Sequence, residues 1–236
     1  MGEIMKNDEA ITVANNIFYN IFGVKSSYSI DEICQKFAFD FKRPFKVKDS
    51  FTGQDTWTDV PKYERYITQT NMEHCGNKRG WMFENKEFKS LQEIMEQWTK
   101  INFMTTERYF NSLNVHESDT IYDSIDVYRS TSCTKGNKIL FCDNCVSCEL
   151  TLASQRSLGC VNCIRVDDSG NCSNSYNVIC SKKIANSFFI QDCSDLHECM
   201  FCSHISNRRF CIANSQCTEK SYYAIKKAVV EWILKQ

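Results

Sequence analysis

A three-residue repeat dominates the second half of this chain. Every third residue from Ser112 to Cys217 gives thirty-six positions, and thirty-four of them are Ser, Thr, Cys, Gly, Val, Ile or Leu. The exceptions, Arg208 and Asn214, fall near the end of the repeat. A period of three fits neither an α-helix, whose period is about 3.6, nor a flat strand, whose period is two. Collagen shares the period but needs Gly at the repeated position, and here Gly occurs there once.

A narrow β-solenoid explains the repeat. Short strands in such a fold are joined by corners, and one residue in three points into the bore. A bore with no room for Phe or Trp selects Ser, Cys and Val, because hydroxyls are satisfied by stacked neighbours and Cys packs as a small apolar residue. Every Asp, Glu and Lys of residues 112–217 falls in the other two registers. The repeated positions are therefore predicted to point inward.

The length of one coil follows from the outward residues. Every twelfth residue from position 128 is bulky and apolar, in the order Tyr128, Leu140, Leu152, Ile164, Tyr176, Phe188, Met200 and Ile212. We therefore predict twelve-residue coils with four inward positions each. Residues 112–217 then form about nine coils, a rod about 42 Å long at roughly 4.8 Å per coil. Stacked repeats of this kind need caps at both ends.

The fifteen cysteines are explained by this register. Twelve of them occupy inward positions, and the CxxCxxC run of Cys142, Cys145 and Cys148 is three successive inward residues. A metal knuckle is the competing interpretation. Cysteines half a coil apart face each other across the bore and would bridge if oxidised, namely Cys142/Cys148, Cys193/Cys199 and Cys211/Cys217. Because no secretion signal precedes them, we expect mostly free thiols.

One group of residues imitates a Cys₂His₂ metal site. His197, Cys199, Cys202 and His204 have suitable spacing, with Glu198 beside them. The register places the two cysteines inward and the two histidines outward, so the four side chains do not converge. We therefore predict no metal site and no cofactor.

The flanking segments lack the three-residue repeat. Residues 1–105 are predicted to form an α+β N-terminal domain, residues 106–217 the solenoid, and residues 218–236 a C-terminal capping helix. Capping boxes at Ser29 and Ser90 open two helices. The second has an apolar stripe that is expected to cover the open edge of the first coil, made of Leu91, Ile94, Met95, Trp98 and Ile101. The C-terminal helix is expected to cover the last coil with Tyr222, Ile225, Val229, Trp232 and Ile233.

Composition and motifs argue against several classes of function. The chain has 28 Lys and Arg against 29 Asp and Glu, which argues against binding nucleic acid by neutralising phosphates. It has no apolar run of bilayer length, and its first residues do not resemble a signal peptide. It also lacks a phosphate loop, a nucleophile elbow and an HExxH motif. We expect a non-enzymatic protein without nucleic-acid, membrane or small-molecule partners.

Two families resemble the repeat. The inner register resembles the twelve-residue β-solenoid of beetle antifreeze proteins, but the outer rows here are Leu, Tyr, Phe and Met instead of the Thr-x-Thr array that binds ice. The resemblance to a second family rests on four stretches, at residues 186–189, 192–193, 199–202 and 207–214, which read NSFF, DC, CMFC and NRRFCIAN. These resemble uncharacterised Cys-rich repeat proteins of tailed phages, including crAss-like gut phages. That resemblance implies a virion protein, assembled in the host cytoplasm.

The leading expectation is a structural interaction protein, such as an auxiliary capsid or head-attached protein that contacts other virion proteins or its own copies. The outer row supplies the predicted interface, which consists of Tyr176, Phe188, Phe189, Met200 and Phe201. A monomer does not usually leave such a strip exposed to water. The alternative is that the flanking segments of the same chain cover this row. A metal- or redox-binding protein that uses the CxxC positions is the alternative function.

Overall fold

The computed structural model of this chain describes residues 2–76 and 80–235, with residues 2–7 described by their backbone alone. The N-terminal part contains α1 (Gly2–Phe22), α2 (Ile30–Phe37), β1 (Phe45–Lys48), β2 (Asp55–Thr58), β3 (Tyr66–Thr68), α3 (Gln69–Gly76), α4 (Leu91–Trp98) and β4 (Met104–Thr106). Both predicted capping-box helices are present, and the side chains of Ser29 and Glu32 cap α2 reciprocally. Within the described ranges, no helix is both long and apolar enough to cross a membrane.

The solenoid is built from short strands and ends before α5 (Glu219–Lys235). The strands are β5 (Tyr109–Phe110), β6 (Leu113–His116), β7 (Asp119–Tyr122), β8 (Ile125–Tyr128), β9 (Thr131–Thr134), β10 (Asn137–Leu140), β11 (Glu149–Leu152), β12 (Val161–Asp167), β13 (Ser173–Ile179), β14 (Lys182–Ala185), β15 (Phe188–Gln191), β16 (Ser194–His197), β17 (Met200–Ser203), β18 (Ser206–Arg209), β19 (Cys211–Ile212) and β20 (Ser215–Gln216).

The pairing register confirms the predicted coil length. Parallel partners are twelve residues apart, as in Ile139 with Thr151 and Thr151 with Cys163. Two kinds of backbone hydrogen bond join successive coils. The N–H of Ile125 donates to the carbonyl of Gly136 in the next coil, and the N–H of Phe141 donates to a carbonyl in the coil before. The predicted β-solenoid of about nine coils, with an N-terminal α+β part and a C-terminal helix, is therefore confirmed.

The corners of the coil are made by left-handed residues. From Asn111 to Ala213, every third residue has a positive φ, and each one immediately precedes an inward position. Residues other than Gly, Asn and Asp adopt this conformation at some cost, because their Cβ approaches the neighbouring carbonyl oxygen. Asn or Asp accordingly occupies fourteen of these thirty-five positions. Four such residues in each coil turn the chain through its four corners.

The inward side chains supply hydrogen bonds as well as volume. At many inward positions the backbone N–H faces the bore, and a Ser side chain one coil earlier accepts from it. The Oγ of Ser130 lies 3.0 Å from the backbone nitrogen of Cys142 and accepts its N–H. The backbone N–H of Ser154 acts on the sulfur of Cys142 in the same way and lowers the pKa of that thiol, against the larger effect of burial. Eight inward N–H groups are met by Ser in this way. The bore therefore favours Ser and Cys because their side chains complete the backbone hydrogen bonding.

Three helices cover one flank of the rod. α1 runs along β10 to β13, and α2 lies beside it, with Asp31 paired to Arg129 and Asp40 paired to Arg165. α5 crosses the last coils, where the Nζ of Lys226 lies 4.9 Å from the ring centre of Phe188. These helices share one apolar core with the outer row of every twelfth residue. Residues 1–105 therefore contribute to the same core as the solenoid, and α5 packs on its flank.

The N-terminal end is closed by polar side chains. Arg108 bridges Asp59 of the N-terminal part and Asp119 of the second coil, and the carboxylate of Asp119 is fully buried. Burial opposes ionisation of Asp119, but hydrogen bonds from Arg108 hold the pKa of this carboxyl below its usual value. Gln69 accepts from the N–H of Tyr109, whose ring packs against the bore core. The N-terminal part is thus fixed to the rod through a buried ion pair.

The C-terminal end is closed by side chains that imitate a further coil. The amide of Asn214 donates to the carbonyl of Ser203 and accepts from its N–H, at 2.9 and 3.0 Å. Gln216 donates to the carbonyl of Arg209 at 2.7 Å. β19 and β20 form a hairpin at this end. Asn214, one of the two exceptions to the repeat, therefore terminates the backbone ladder.

Candidate interaction surfaces

The cysteines of the bore are packing and hydrogen-bonding groups. The thiol of Cys142 is fully buried and donates to the carbonyls of Leu140 and Thr151, at 3.3 and 3.6 Å. Burial raises the pKa of the Cys142 and Cys163 thiols, so both are kept in the protonated form. A protonated, enclosed thiol is neither a good nucleophile nor a metal ligand. The structure therefore places the CxxCxxC run in the core of the solenoid.

The side chains of the group that imitates a Cys₂His₂ site do not point at a common metal position. Cys199 and Cys202 are buried in the bore, whereas the side chains of His197 and His204 are 44% and 74% exposed. His197 instead faces Glu198, and His204 faces Asp192. Within residues 2–76 and 80–235, no three His, Cys, Asp or Glu side chains are placed to hold a metal ion.

The thiol contacts differ from the predicted half-coil pairs. The thiol of Cys145 contacts those of Cys133, Cys142 and Cys148, and all fifteen cysteines are free. In the described coils these contacts join residues three or twelve apart, whereas the sequence pointed to pairs six apart. The physical reason is that neighbours in successive coils are separated by one strand spacing of about 4.8 Å, while residues six apart lie on opposite walls.

Most of the predicted interface row is covered by the chain itself. Tyr176, Phe188 and Met200 are buried within the monomer. The ring of Phe22 in α1 lies 5.5 Å from that of Tyr176 and 5.9 Å from that of Phe188. These three residues therefore have no face left for another subunit unless the helices move away. The two outer members of the predicted interface are different.

Phe189 and Phe201 form the open margin of that row. Their rings are stacked at 4.6 Å, and Trp232 of α5 lies 5.6 Å from Phe189. Phe201 remains 41% exposed. Whether this margin contacts another protein stays a prediction. α5 is held beside it by buried Glu198, which accepts hydrogen bonds from Tyr223 and Arg209.

A second apolar surface lies on the uncovered side of the rod. Phe110 and Tyr122 are paired in neighbouring strands on one side of a corner, and Leu113 and Ile125 are paired on the other side. Each of these side chains is between 40% and 66% exposed. We call this group the corner patch (Phe110, Leu113, Tyr122 and Ile125). It occupies the first two coils, on a backbone held by hydrogen bonds above and below.

A third apolar surface is the α4 stripe, which consists of Leu91, Ile94, Met95 and Trp98. The expectation that it covers the edge of the first coil is wrong, because α4 has no buried residue and these four side chains are 45% to 74% exposed. The end of the rod is closed instead by Arg108, Gln69 and the strands before them. The segment before α4 also exposes Met82, Phe83 and Phe88. The apolar face of α4 is therefore exposed to solvent in the single chain.

A cleft of about 430 Å³ separates the start of α1 from the first coils. Val13, Tyr128 and Leu140 give it apolar walls, and Asp126 and Lys138 lie at its rim. The carboxylate of Asp126 is engaged by the amide of Asn114 at 2.9 Å. The cleft thus offers shape and apolar area, while its charged groups have both signs and do not form a single ligand-binding set.

The chain is therefore a β-solenoid with twelve-residue coils. Helices cover one of its flanks, and exposed apolar side chains lie near its N-terminal end. A scan of protein-family models, a search of curated proteins and a search of solved structures each return no match to this chain.

Sequence reasoning missed the corner patch. Phe110 precedes Ser112, the first position of the repeat, and the other three residues lie in rows that become polar in the third coil, where Thr134 and Asn137 follow. A signal was present, because two outward rows are apolar in both of the first two coils. The α4 stripe was found as a pattern, but its partner was assigned wrongly.

Proposed function

We propose that this chain is a non-enzymatic structural protein that presents a rigid solenoid for contacts between subunits, as a component of a tailed-phage virion. The single observation that carries the interaction role is the corner patch. Four large apolar side chains protrude together from a backbone that is fixed by hydrogen bonds to neighbouring coils. Contiguous apolar surface of this kind on a soluble domain usually marks an interface.

The chemistry of the interior supports a structural role. Many inward Ser and Cys side chains are engaged by backbone groups of their own and adjacent coils, as for Ser130 and Cys142. The charged clusters at Asp119 and Glu198 tie segments of the chain together. Groups that are used in this way hold the rod in shape, which is what a scaffold for assembly requires.

The assignment to a virion rests on the resemblance of the C-terminal coils to Cys-rich repeat proteins of tailed phages. The expected partners are other virion proteins or copies of the same chain, and the expected location is the particle assembled in the host cytoplasm. An auxiliary capsid or head-attached position suits a short rod that is closed at both ends.

Quantitative mass spectrometry of gradient-purified particles tests this proposal. We expect the chain to copurify with the major capsid protein at a fixed ratio through successive gradients and to remain after a salt wash. A chain found in infected-cell lysate but absent from washed particles would refute the virion role. A particle-bound chain whose occupancy is unchanged by Leu113→Ser with Ile125→Ser, while its melting temperature is also unchanged, would refute the role of the corner patch.

A further inference from the structure

We propose that the α4 stripe of one chain packs on the corner patch of a second copy, and that the exchange is reciprocal, so that two chains form a two-fold dimer. The inference rests on the proposed function, since it names the partner of the corner patch. It adds a function to α4, which contributes nothing to the core of its own chain.

The two surfaces match in kind and in size. Each presents four large apolar side chains, and each is exposed in the single chain. Sixteen such side chains meet in a reciprocal dimer. At on the order of 100 Å² each, they provide about 1,600 Å² of buried area, which is the size of a standard stable interface.

The chain itself shows how a helix packs on this solenoid. On the covered flank, α1 lays Ile17, Phe18 and Ile21 against the outer row of β10 to β13, and these side chains become buried. The α4 stripe is likewise made of large apolar side chains at helical spacing, but no solenoid surface lies beneath it. A second copy supplies one, because the corner patch is likewise an outward face of paired strands.

Charged groups of both signs lie beside the two surfaces, and Glu96 and Lys135 form one complementary pair. α4 carries Glu93 and Glu96, and Glu93 is already paired with Lys86 of its own chain at 3.7 Å. Lys135 and Lys138 follow the corner patch in the third coil. The nearer carboxylate of Asp123 is engaged by the amide of Asn111 at 2.6 Å. An amide hydrogen bond leaves the carboxylate of Asp123 negative, so charges of both signs surround the corner patch. Among them, Lys135 offers Glu96 of a second copy an oppositely charged partner.

Symmetry explains why the contact closes. Both surfaces belong to residues 91–125, near the N-terminal end of the rod. If each chain supplies its helix to the other, the interface is isologous and stops at two copies. A one-way contact of the same surfaces would instead extend into a chain of subunits.

Sedimentation of the full-length protein over a concentration series tests the dimer. We expect wild type to dimerise in the micromolar range. Leu91→Ser with Trp98→Ser in α4, and Leu113→Ser with Ile125→Ser in the corner patch, should each raise the dimer Kd by about tenfold or more. Leu158→Ser is the matched control, because Leu158 is an equally exposed side chain on the row of Phe110 and Tyr122, three coils beyond Tyr122. Its Kd should equal that of wild type.

A charge exchange sharpens the test. Glu96→Lys and Lys135→Glu should each weaken the dimer, and the two changes combined in one chain should restore much of the affinity, because the exchange is reciprocal. Melting temperatures of all variants should stay near wild type, since every altered side chain is solvent-exposed in the monomer.

Three outcomes would overturn the inference. They are a monomeric wild type, a dimer that survives either double serine variant, and a dimer that Leu158→Ser weakens as strongly. If the chain is found in particles but is monomeric in solution, the dimer fails and the proposed function stands. If the dimer forms but the chain is absent from particles, the proposed function fails and the dimer stands.

Discussion

The backbone N–H of Cys142 donates to the Oγ of Ser130, 3.0 Å away in the preceding coil. The same hydroxyl donates to the carbonyl of Tyr128 at 3.0 Å. Each coil leaves some inward N–H groups without a partner in the strand ladder. A side chain in the preceding coil, such as Ser130, accepts the hydrogen bond instead. A purely hydrocarbon bore would fill the same space but leave those groups unsatisfied, at a cost of about 1–3 kcal/mol each.

The first prediction therefore concerns Ser130. Ser130→Ala should lower the free energy of unfolding by about 1–3 kcal/mol, because it orphans the buried N–H of Cys142. Ser130→Cys should cost less, since sulfur accepts the same bond elsewhere in this bore. Urea unfolding measures both values. Ser147→Ala, at an exposed corner, is the control and should stay within about 0.5 kcal/mol. An alanine at position 130 as harmless as the control would refute the hydrogen-bonding role.

The sequence predicted the bore because a period of three with small residues leaves few alternatives. The register of Cys142, Cys145 and Cys148, the coil length and the outward histidines all followed from it. The sequence also indicates the left-handed corners, because Asn and Asp often precede inward positions. A pattern spread over four rows is weak in each row, so the corners are harder to predict from the sequence than the bore.

The placement of the flanking helices is harder to predict from the sequence. An apolar stripe shows that a helix has a partner but not which one, since the same stripe suits the flank, the end of the rod or another chain. α5 packs across the outer row, with Tyr222 bonded to the carbonyl of Asn186 and its ring 5.6 Å from that of Phe210 in the last coil. The ends are sealed by single polar residues such as Asn214 and Gln69, whose role depends on distances that no repeat encodes.

The second prediction concerns thiol reactivity. Cys75 and Cys180 are exposed, Cys217 is half-buried and the other twelve cysteines are buried. An aromatic disulfide reagent should therefore titrate two thiols rapidly in the native protein and all fifteen after denaturation. Cys75→Ser with Cys180→Ser should abolish the rapid phase. A rapid phase of many thiols would show that the bore opens.

Metal content provides a third prediction. If the cysteines are packing groups, chelator and reductant together should leave the melting temperature almost unchanged. Elemental analysis should find far less than one zinc or iron per chain. One tightly held metal per chain, lost together with stability on chelation, would favour the metal-binding alternative.

The fourth prediction concerns Asp49. Burial would raise the pKa of this carboxyl, but hydrogen bonds from the N–H groups of Thr68, Thr52 and Phe51 and from Asn71 lower it to about 2. The folded pKa lies below the unfolded value of about 3.9, so the stabilisation is complete above pH 4 and is lost as pH falls towards 2. It amounts to about 2–3 kcal/mol at 1.36 kcal/mol per pKa unit.

Urea unfolding at neutral pH and near pH 3 tests this linkage. Asp49→Asn should lose about 2 kcal/mol at neutral pH and show a smaller loss between the two pH values than wild type. Asp195→Asn, which removes an exposed ion pair with Lys183, should follow the wild-type profile. Identical pH profiles for wild type and Asp49→Asn would contradict the assigned role.

The last prediction separates internal cover from subunit contact on the outer row. The ring of Phe188 is fully buried between Phe22 of α1 and Lys226 of α5, whereas Phe201, one coil and one residue further on, is 41% exposed. Phe188→Ala should lower the free energy of unfolding by about 3–5 kcal/mol through the cavity it leaves. Phe201→Ala should cost about 1 kcal/mol or less, because part of its ring already faces water. Both variants are measured by urea unfolding, and their incorporation into particles is measured in parallel. Equal costs would mean that α1 and α5 do not cover the row. A Phe188→Ala chain that keeps its stability but fails to assemble would show that Phe188 belongs to a subunit interface after all.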